Sequence, residues 1–107
     1  MNFSDYQKGT ASVWGGETEL LPEGAVTPPI VNSVTYGYKD LDEWHKVATG
    51  QVEGYIYSRN TNPTVHVLEE KIKALEGAEA ATSFATGMGA ISNTLFALLT
   101  SGKRVVS

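Results

Sequence analysis

The chain has 107 residues, a formal net charge of −4, and 41% hydrophobic and 19% charged residues, a composition typical of one globular domain and not of a disordered segment. The acidic balance argues against nucleic acid as a main partner. The lack of cysteine excludes disulfides and thiolate metal sites, and the two histidines make a histidine metal site improbable. No apolar run reaches the roughly twenty residues of a membrane helix, and the first residues lack a secretory-signal pattern, so we expect a cytoplasmic protein without a metal or membrane partner.

The N-terminal region is polar and contains many glycines. Residues 1–24 have no clear hydrophobic period, which favours an extended arm that packs against another part of the protein. Trp14 supports packing over a free tail, because a large aromatic side chain is unfavourable in solvent. Residues 31–38 then resemble a short extended run.

Two helices are predicted from their capping residues. Asp40 begins the first, with Glu43 in the third helical position as in a capping box, and Thr49-Gly50 ends it. Asn62-Pro63 begins the second, with asparagine as N-cap and proline as first helical residue, and Gly77 ends it. The apolar stripe of this second helix consists of Val65, Leu68, Ile72 and Leu75. Its charged residues, from Glu69 to Glu76, predict a solvated face with close charge pairs.

A strand followed by a third helix is predicted next. Residues 80–85 form a short apolar run typical of a buried strand, and Gly87-Met88-Gly89 opens the helix, which ends at Ser101-Gly102. Residues 103–107 predict the beginning of a further strand. The order of arm, helix, helix, strand, helix and strand favours an α/β fold with a parallel or mixed sheet. Because the sheet has barely begun at residue 107, we expect the chain to be part of a larger protein and to be neither stably folded nor active alone.

Two short segments predict a phosphate site. At Gly87 and Met88 the first N–H groups of a helix would point outward with the positive end of the helix dipole. If residues 55–59 are extended, Tyr55, Tyr57 and Arg59 lie on one face, and the last two offer a hydroxyl donor and a bidentate guanidinium. The alternatives are a plain glycine turn between strand and helix, and an aromatic surface strand.

These segments also carry a family resemblance. The matching motifs are Gly24-Ala25-Val26-x-Pro28-Pro29-Ile30, Tyr57-Ser58-Arg59-x-x-Asn62-Pro63-Thr64, Leu68-Glu69, Leu75-Glu76-Gly77-Ala78-Glu79-Ala80 and Thr86-Gly87-Met88. The chain resembles the N-terminal third of the PLP-dependent trans-sulfuration enzymes of cysteine and methionine metabolism. These include cystathionine γ-synthase, cystathionine γ-lyase, methionine γ-lyase and the O-acylhomoserine sulfhydrylases. Many members carry an aromatic residue at the position of Val31 and serine at that of Thr86.

The resemblance implies an aminotransferase-like (fold type I) enzyme that binds pyridoxal 5'-phosphate (PLP) and is usually a homotetramer. The backbone N–H groups of Gly87 and Met88 would hold the PLP phosphate, and Tyr57 and Arg59 would reach the same phosphate in the neighbouring subunit. Tyr57 would also assist proton transfer at the substrate. In this reading residues 1–53 are an arm and helix at a subunit interface, and residues 54–107 begin the PLP-binding domain.

The expected activity is γ-elimination or γ-replacement on a sulfur-containing or O-acylated homoserine-type amino acid, as a lyase or transferase. The family's PLP-binding lysine matches none of the six lysines here, which are Lys8, Lys39, Lys46, Lys71, Lys73 and Lys103. Two alternatives stay open. One is part of a dinucleotide-binding domain, since Gly87-x-Gly89 follows a strand, although Ser92 stands at the third glycine position. The other is a non-catalytic interaction piece of the same fold.

Overall fold

The computed structural model describes residues 7–15 and 25–106. These residues form four α-helices, namely α1 (Lys8–Trp14), α2 (Leu41–Ala48), α3 (Pro63–Glu76) and α4 (Gly87–Leu98). The helices α2, α3 and α4 were predicted from the sequence. Helix α4 ends earlier than predicted, and Gly102 lies in a turn beyond it with φ of 87°.

Helix α1 corrects the prediction of a wholly extended arm. It packs along α3, where Ala11 is buried and Gly15 approaches Lys71 and Ala74 closely. The Lys71 ammonium donates to the carbonyls of Ser12 and Val13 in the last turn of α1. With seven residues, α1 is too short to be stable by propensity alone. Its stability therefore comes from α3, which periodicity within residues 1–24 does not reveal.

The ends of α2 are confirmed. Asp40 Oδ1 accepts a hydrogen bond from the Glu43 N–H at 2.8 Å, and Glu43 Oε2 accepts one from the Lys39 N–H at 3.3 Å. The last helical residue is Ala48, Thr49 is the C-cap, and the following Gly50 has φ of 71°. A left-handed residue directly after the last turn is a common way to end a helix.

The ends of α3 are confirmed as well. Asn62 caps the first turn, Pro63 is the first helical residue, and Gly77 follows the last turn with φ of 65°. A left-handed glycine at this position satisfies a carbonyl of the last turn, since the Gly77 N–H donates to the Lys73 carbonyl.

The predicted strands do not form ladders within residues 25–106. Residues 80–85 and 103–106 carry no strand pairing, and residue 107 lies outside the described residues. The pairing in this part of the chain is one antiparallel bridge between Thr35 and Tyr57. A strand needs a neighbour to satisfy its backbone groups, and no neighbour for 80–85 is present among the described residues.

The apolar stripe of α3 is not its buried face. Val67, off the stripe, is 7% exposed, whereas Leu68 and Ile72 on the stripe are 52% and 47% exposed. Helix α1 packs against α3, and Val67 lies about one quarter turn or more away from the stripe. Ile91 and Leu95 of α4, which are four residues apart and share one helix face, are likewise exposed. Across the described residues, no helix has the length and apolar character required to cross a membrane.

Candidate functional site

The N-terminus of α4 has the arrangement of donors that the sequence predicted. Thr86 is its N-cap, and Thr86 Oγ1 accepts a hydrogen bond from the Gly89 N–H at 2.9 Å. The Thr86 carbonyl accepts from the Ala90 N–H at 3.1 Å. Gly87 and Met88 are the first two helical residues, whose N–H groups have no partner within a helix. The capping role of Thr86 was missed, although threonine three residues before the capped N–H is a recognisable signal.

The space in front of this helix start is open. A Cβ on Gly87 would meet nothing within 4 Å, and the Met88 side chain is 69% exposed. Gly89 is different, since a Cβ there would lie 3.0 Å from Thr86 Oγ1 and disturb the cap. Two outward N–H groups at the positive end of a helix suit an anion such as a phosphate. The donor set at Gly87 and Met88 therefore fits a phosphate group.

Tyr57 and Arg59 lie together, but not by strand alternation. The extended segment ends at Tyr57, whose carbonyl accepts from the N–H groups of Asn60 and Thr61 at 2.9 and 3.2 Å in a turn. The turn brings the Arg59 guanidinium over the Tyr57 ring, with Cζ 5.0 Å from the ring centroid. This distance is within cation–π range. The stacked pair presents a cation and a hydroxyl side by side.

Tyr55 belongs to a separate aromatic contact. Its ring centroid is 5.5 Å from that of Tyr36, and its carbonyl accepts a hydrogen bond from Tyr38 Oη at 2.8 Å. Burial raises the pKa of the Tyr55 hydroxyl above its ordinary value, with smaller contributions from Tyr36 and Glu53. Tyr55 therefore supports the segment before the Tyr57–Arg59 turn.

Glu69 joins α3 to the segment that leads into α4. Its Oε1 atom accepts from the Ser83 N–H at 2.7 Å and from Ser83 Oγ at 2.9 Å. The close charge pair that the sequence predicted on this face forms between Glu70 and Lys73 at 2.9 Å, whereas Glu69 bonds Ser83. Glu69 thus fixes residues three positions before the Thr86 cap. Its partner is 14 residues away in sequence, so local spacing does not reveal the contact.

The two parts of the predicted phosphate site remain separate. Within residues 25–106, no hydrogen bond or ring contact joins Tyr57 or Arg59 to Gly87 or Met88. Nor does this part of the chain, or residues 7–15, contain a cluster of three or more side chains that could hold a metal ion.

Comparison with known proteins identifies the family. Residues 9–107 match the family described as Cys/Met metabolism PLP-dependent enzyme. The chain is 38% identical over its whole length to an L-methionine gamma-lyase of Fusobacterium nucleatum, covering 27% of that protein. It is 40% identical over 91% of its length to an O-succinylhomoserine sulfhydrylase of Pseudomonas aeruginosa, covering 24% of that protein. The chain therefore belongs to the PLP-dependent enzymes of cysteine and methionine metabolism.

The fold comparison agrees with this assignment. The structure superposes on the crystal structure of metB from Corynebacterium glutamicum with a TM-score of 0.79 and 30% sequence identity. The match covers 95% of this chain and 25% of that one. The expected α/β, fold type I class is thereby confirmed, and the dinucleotide-binding alternative is set aside. The chain spans about a quarter of the length of the relatives it matches.

Proposed function

We propose that this chain forms the N-terminal part of a PLP-dependent enzyme of γ-elimination or γ-replacement on a sulfur-containing or O-acylated homoserine-type amino acid. The observation that carries the proposal is the open, Thr86-capped start of α4 in a chain of this family. The relatives named methionine gamma-lyase and O-succinylhomoserine sulfhydrylase support both reaction types. PLP, when bound, supplies the electron sink for such chemistry.

Gly87 and Met88 anchor the cofactor in this proposal. Their N–H groups donate to phosphate oxygens, and the helix dipole favours the negative charge. Thr86 leaves these two donors available because it takes the N–H of Gly89 instead. The absence of a side chain at Gly87 lets the phosphate approach the backbone.

Tyr57 and Arg59 complete the phosphate site of a neighbouring identical subunit. Arg59 offers two parallel N–H donors to phosphate, and Tyr57 Oη donates a hydrogen bond. Tyr57 Oη also lies near the substrate and moves a proton during the reaction. Stacking of the guanidinium on the Tyr57 ring restricts both side chains before the cofactor binds. This role requires at least a dimer, and the assembly proposed is a cytoplasmic homotetramer.

The division of labour along the chain follows from this assembly. Residues 1–53 form the arm and helix of the subunit interface, and residues 54–107 begin the PLP-binding domain. The lysine that binds PLP covalently is supplied by further polypeptide, so residues 1–107 alone are inactive. Borohydride reduction of the whole enzyme should abolish the long-wavelength absorbance of bound PLP. A protein of the same fold without that absorbance would be a non-catalytic piece.

The test of the phosphate role is the Arg59→Ala variant of the whole enzyme. A charge-assisted hydrogen bond contributes roughly 1.5–3 kcal/mol, so the Kd for PLP should rise by about tenfold or more. Arg104→Ala is the matched control, because it removes the same charge from another exposed arginine. PLP affinity that is equal in Arg59→Ala, Arg104→Ala and the parent enzyme would exclude the proposed role of Arg59.

A further inference from the structure

Asn62 uses both ends of its side chain, which a helix cap does not require. The residue is 8% exposed, and among the described residues it is the one polar residue that is buried. Asn62 Oδ1 accepts from the N–H groups of Thr64 and Val65 at 2.9 and 3.4 Å. Its Nδ2 group donates to the Val31 carbonyl at 3.0 Å and to Tyr36 Oη at 3.1 Å. The acceptor caps α3, whereas the two donated bonds reach a segment about 30 residues earlier in the chain.

Thr64 strengthens the same connection. Its Oγ1 accepts a hydrogen bond from the Val31 N–H at 2.9 Å and donates to the Pro29 carbonyl at 3.5 Å. Both backbone polar groups of Val31 are thus held by the first turn of α3, one by Thr64 and the other by Asn62. We call these bonds from Asn62 and Thr64 to residues 29–36 the clasp.

Residues 31–36, which the clasp holds, also support the Tyr57–Arg59 turn. The Tyr36 N–H donates to the Ile56 carbonyl at 3.0 Å, and the Ser58 N–H donates to the Val34 carbonyl at 2.8 Å. Residues 31–36 therefore lie between the clasp and the turn. Since Asn62 also follows the turn directly in sequence, the turn is fixed from both sides.

We propose that Asn62 is a positioning residue for the phosphate site, acting through its carboxamide NH2 group. The NH2 group holds residues 31–36, and these hold the turn from which Tyr57 and Arg59 reach the cofactor phosphate. This inference rests on the proposed function of those two side chains. A cap alone needs only an acceptor, and aspartate or serine would serve as well as asparagine. The donor end is the part that the clasp requires.

The first test measures the turn without cofactor. Asn62→Asp and Asn62→Ser both keep a capping acceptor, and both lose the donors to residues 29–36. Amide hydrogen exchange of residues 55–61 in the apoenzyme should accelerate about 5- to 30-fold in both variants. Tyr36→Phe, which removes one of the two acceptors, should give a smaller acceleration. Asp40→Asn at the cap of α2 is the control and should leave residues 55–61 unchanged. Parent-like exchange in both Asn62 variants would overturn the inference.

The second test is a double-mutant cycle on PLP affinity in the holoenzyme. Arg59→Ala and Asn62→Asp should each raise the Kd for PLP, and the double variant should be weakened by less than the product of the two effects, since both act through one contact. Additive effects would show that Asn62 acts independently of Arg59 and would overturn the inference. An unchanged Kd in Arg59→Ala alone would instead refute the proposed phosphate role. If Arg59→Ala weakens binding and Asn62→Asp does not, only the clasp is wrong.

Discussion

Replacing Glu69 with alanine tests whether α3 positions the start of α4. Glu69 Oε1 accepts two hydrogen bonds from Ser83, one from its N–H and one from its hydroxyl. The covalent connection between α3 and α4 is the loop of residues 77–86. Loss of the carboxylate should therefore loosen the segment that carries Thr86 and the donors of Gly87.

The expected magnitude follows from the geometry of the two bonds. A hydrogen bond to a charged acceptor contributes about 1.5–3 kcal/mol where water is excluded. Ser83 is exposed and Glu69 is partly exposed, so water replaces much of each bond after the substitution. We expect a local loss of about 1 kcal/mol, which corresponds to roughly a fivefold change in an equilibrium constant.

The assay combines hydrogen exchange with cofactor affinity in the whole enzyme. In Glu69→Ala, exchange of residues 80–86 should accelerate roughly fivefold, and the Kd for PLP should rise by a similar factor. Ser83→Ala should have a smaller effect, because its N–H still donates to Glu69. Glu70→Ala is the matched control, since among the described residues Glu70 pairs with Lys73, in an ion pair of 2.9 Å within α3, and not with Ser83.

Two results would contradict this reasoning. One is an equal change in Glu69→Ala and Glu70→Ala, which would attribute the effect to general loss of charge on α3. The other is faster exchange of residues 80–86 without any change in PLP affinity. That result would show that the Glu69–Ser83 contact does not affect the phosphate site.

Three further predictions concern stability. Gly77→Ala should destabilise the protein by about 1–2 kcal/mol through backbone strain alone, because φ is 65° and a Cβ meets nothing within 4 Å. Gly9→Ala within α1 should have the opposite sign, a gain of up to about 1 kcal/mol, because a Cβ there also meets nothing and alanine favours helix. A urea midpoint equal to or above the parent's in Gly77→Ala, or below the parent's in Gly9→Ala, would contradict the respective prediction. The raised pKa of Tyr55 means that its neutral hydroxyl contributes stability below its ordinary pKa of about 10, and this contribution is lost as the pH rises through the raised value. Urea unfolding between about pH 9 and pH 11 should show a steeper loss in the parent than in Tyr55→Phe, and identical slopes would refute the assignment.

Features that depend on neighbouring residues could be predicted from the amino-acid sequence. Asp40 and Asn62 cap their helices by hydrogen bonds that span two or three residues. Gly77 ends α3 because glycine adopts the left-handed backbone conformation without steric cost. Placing Gly87 and Met88 at a helix start is a local inference of the same kind. The family motifs add the PLP assignment, since they too are short stretches of residues.

Features that depend on distant partners are visible in the folded chain and not in the sequence pattern. Helix α1 forms against α3, and the buried residue of α3 is Val67, which lies off the apolar stripe. Glu69 accepts hydrogen bonds from Ser83, and the NH2 group of Asn62 donates to the carbonyl of Val31, a residue 31 positions away. Periodicity and capping rules describe one element at a time, whereas these bonds depend on how separate segments are brought together. The same reason explains the unpaired residues 80–85, because a strand is defined by its neighbour as much as by its own sequence.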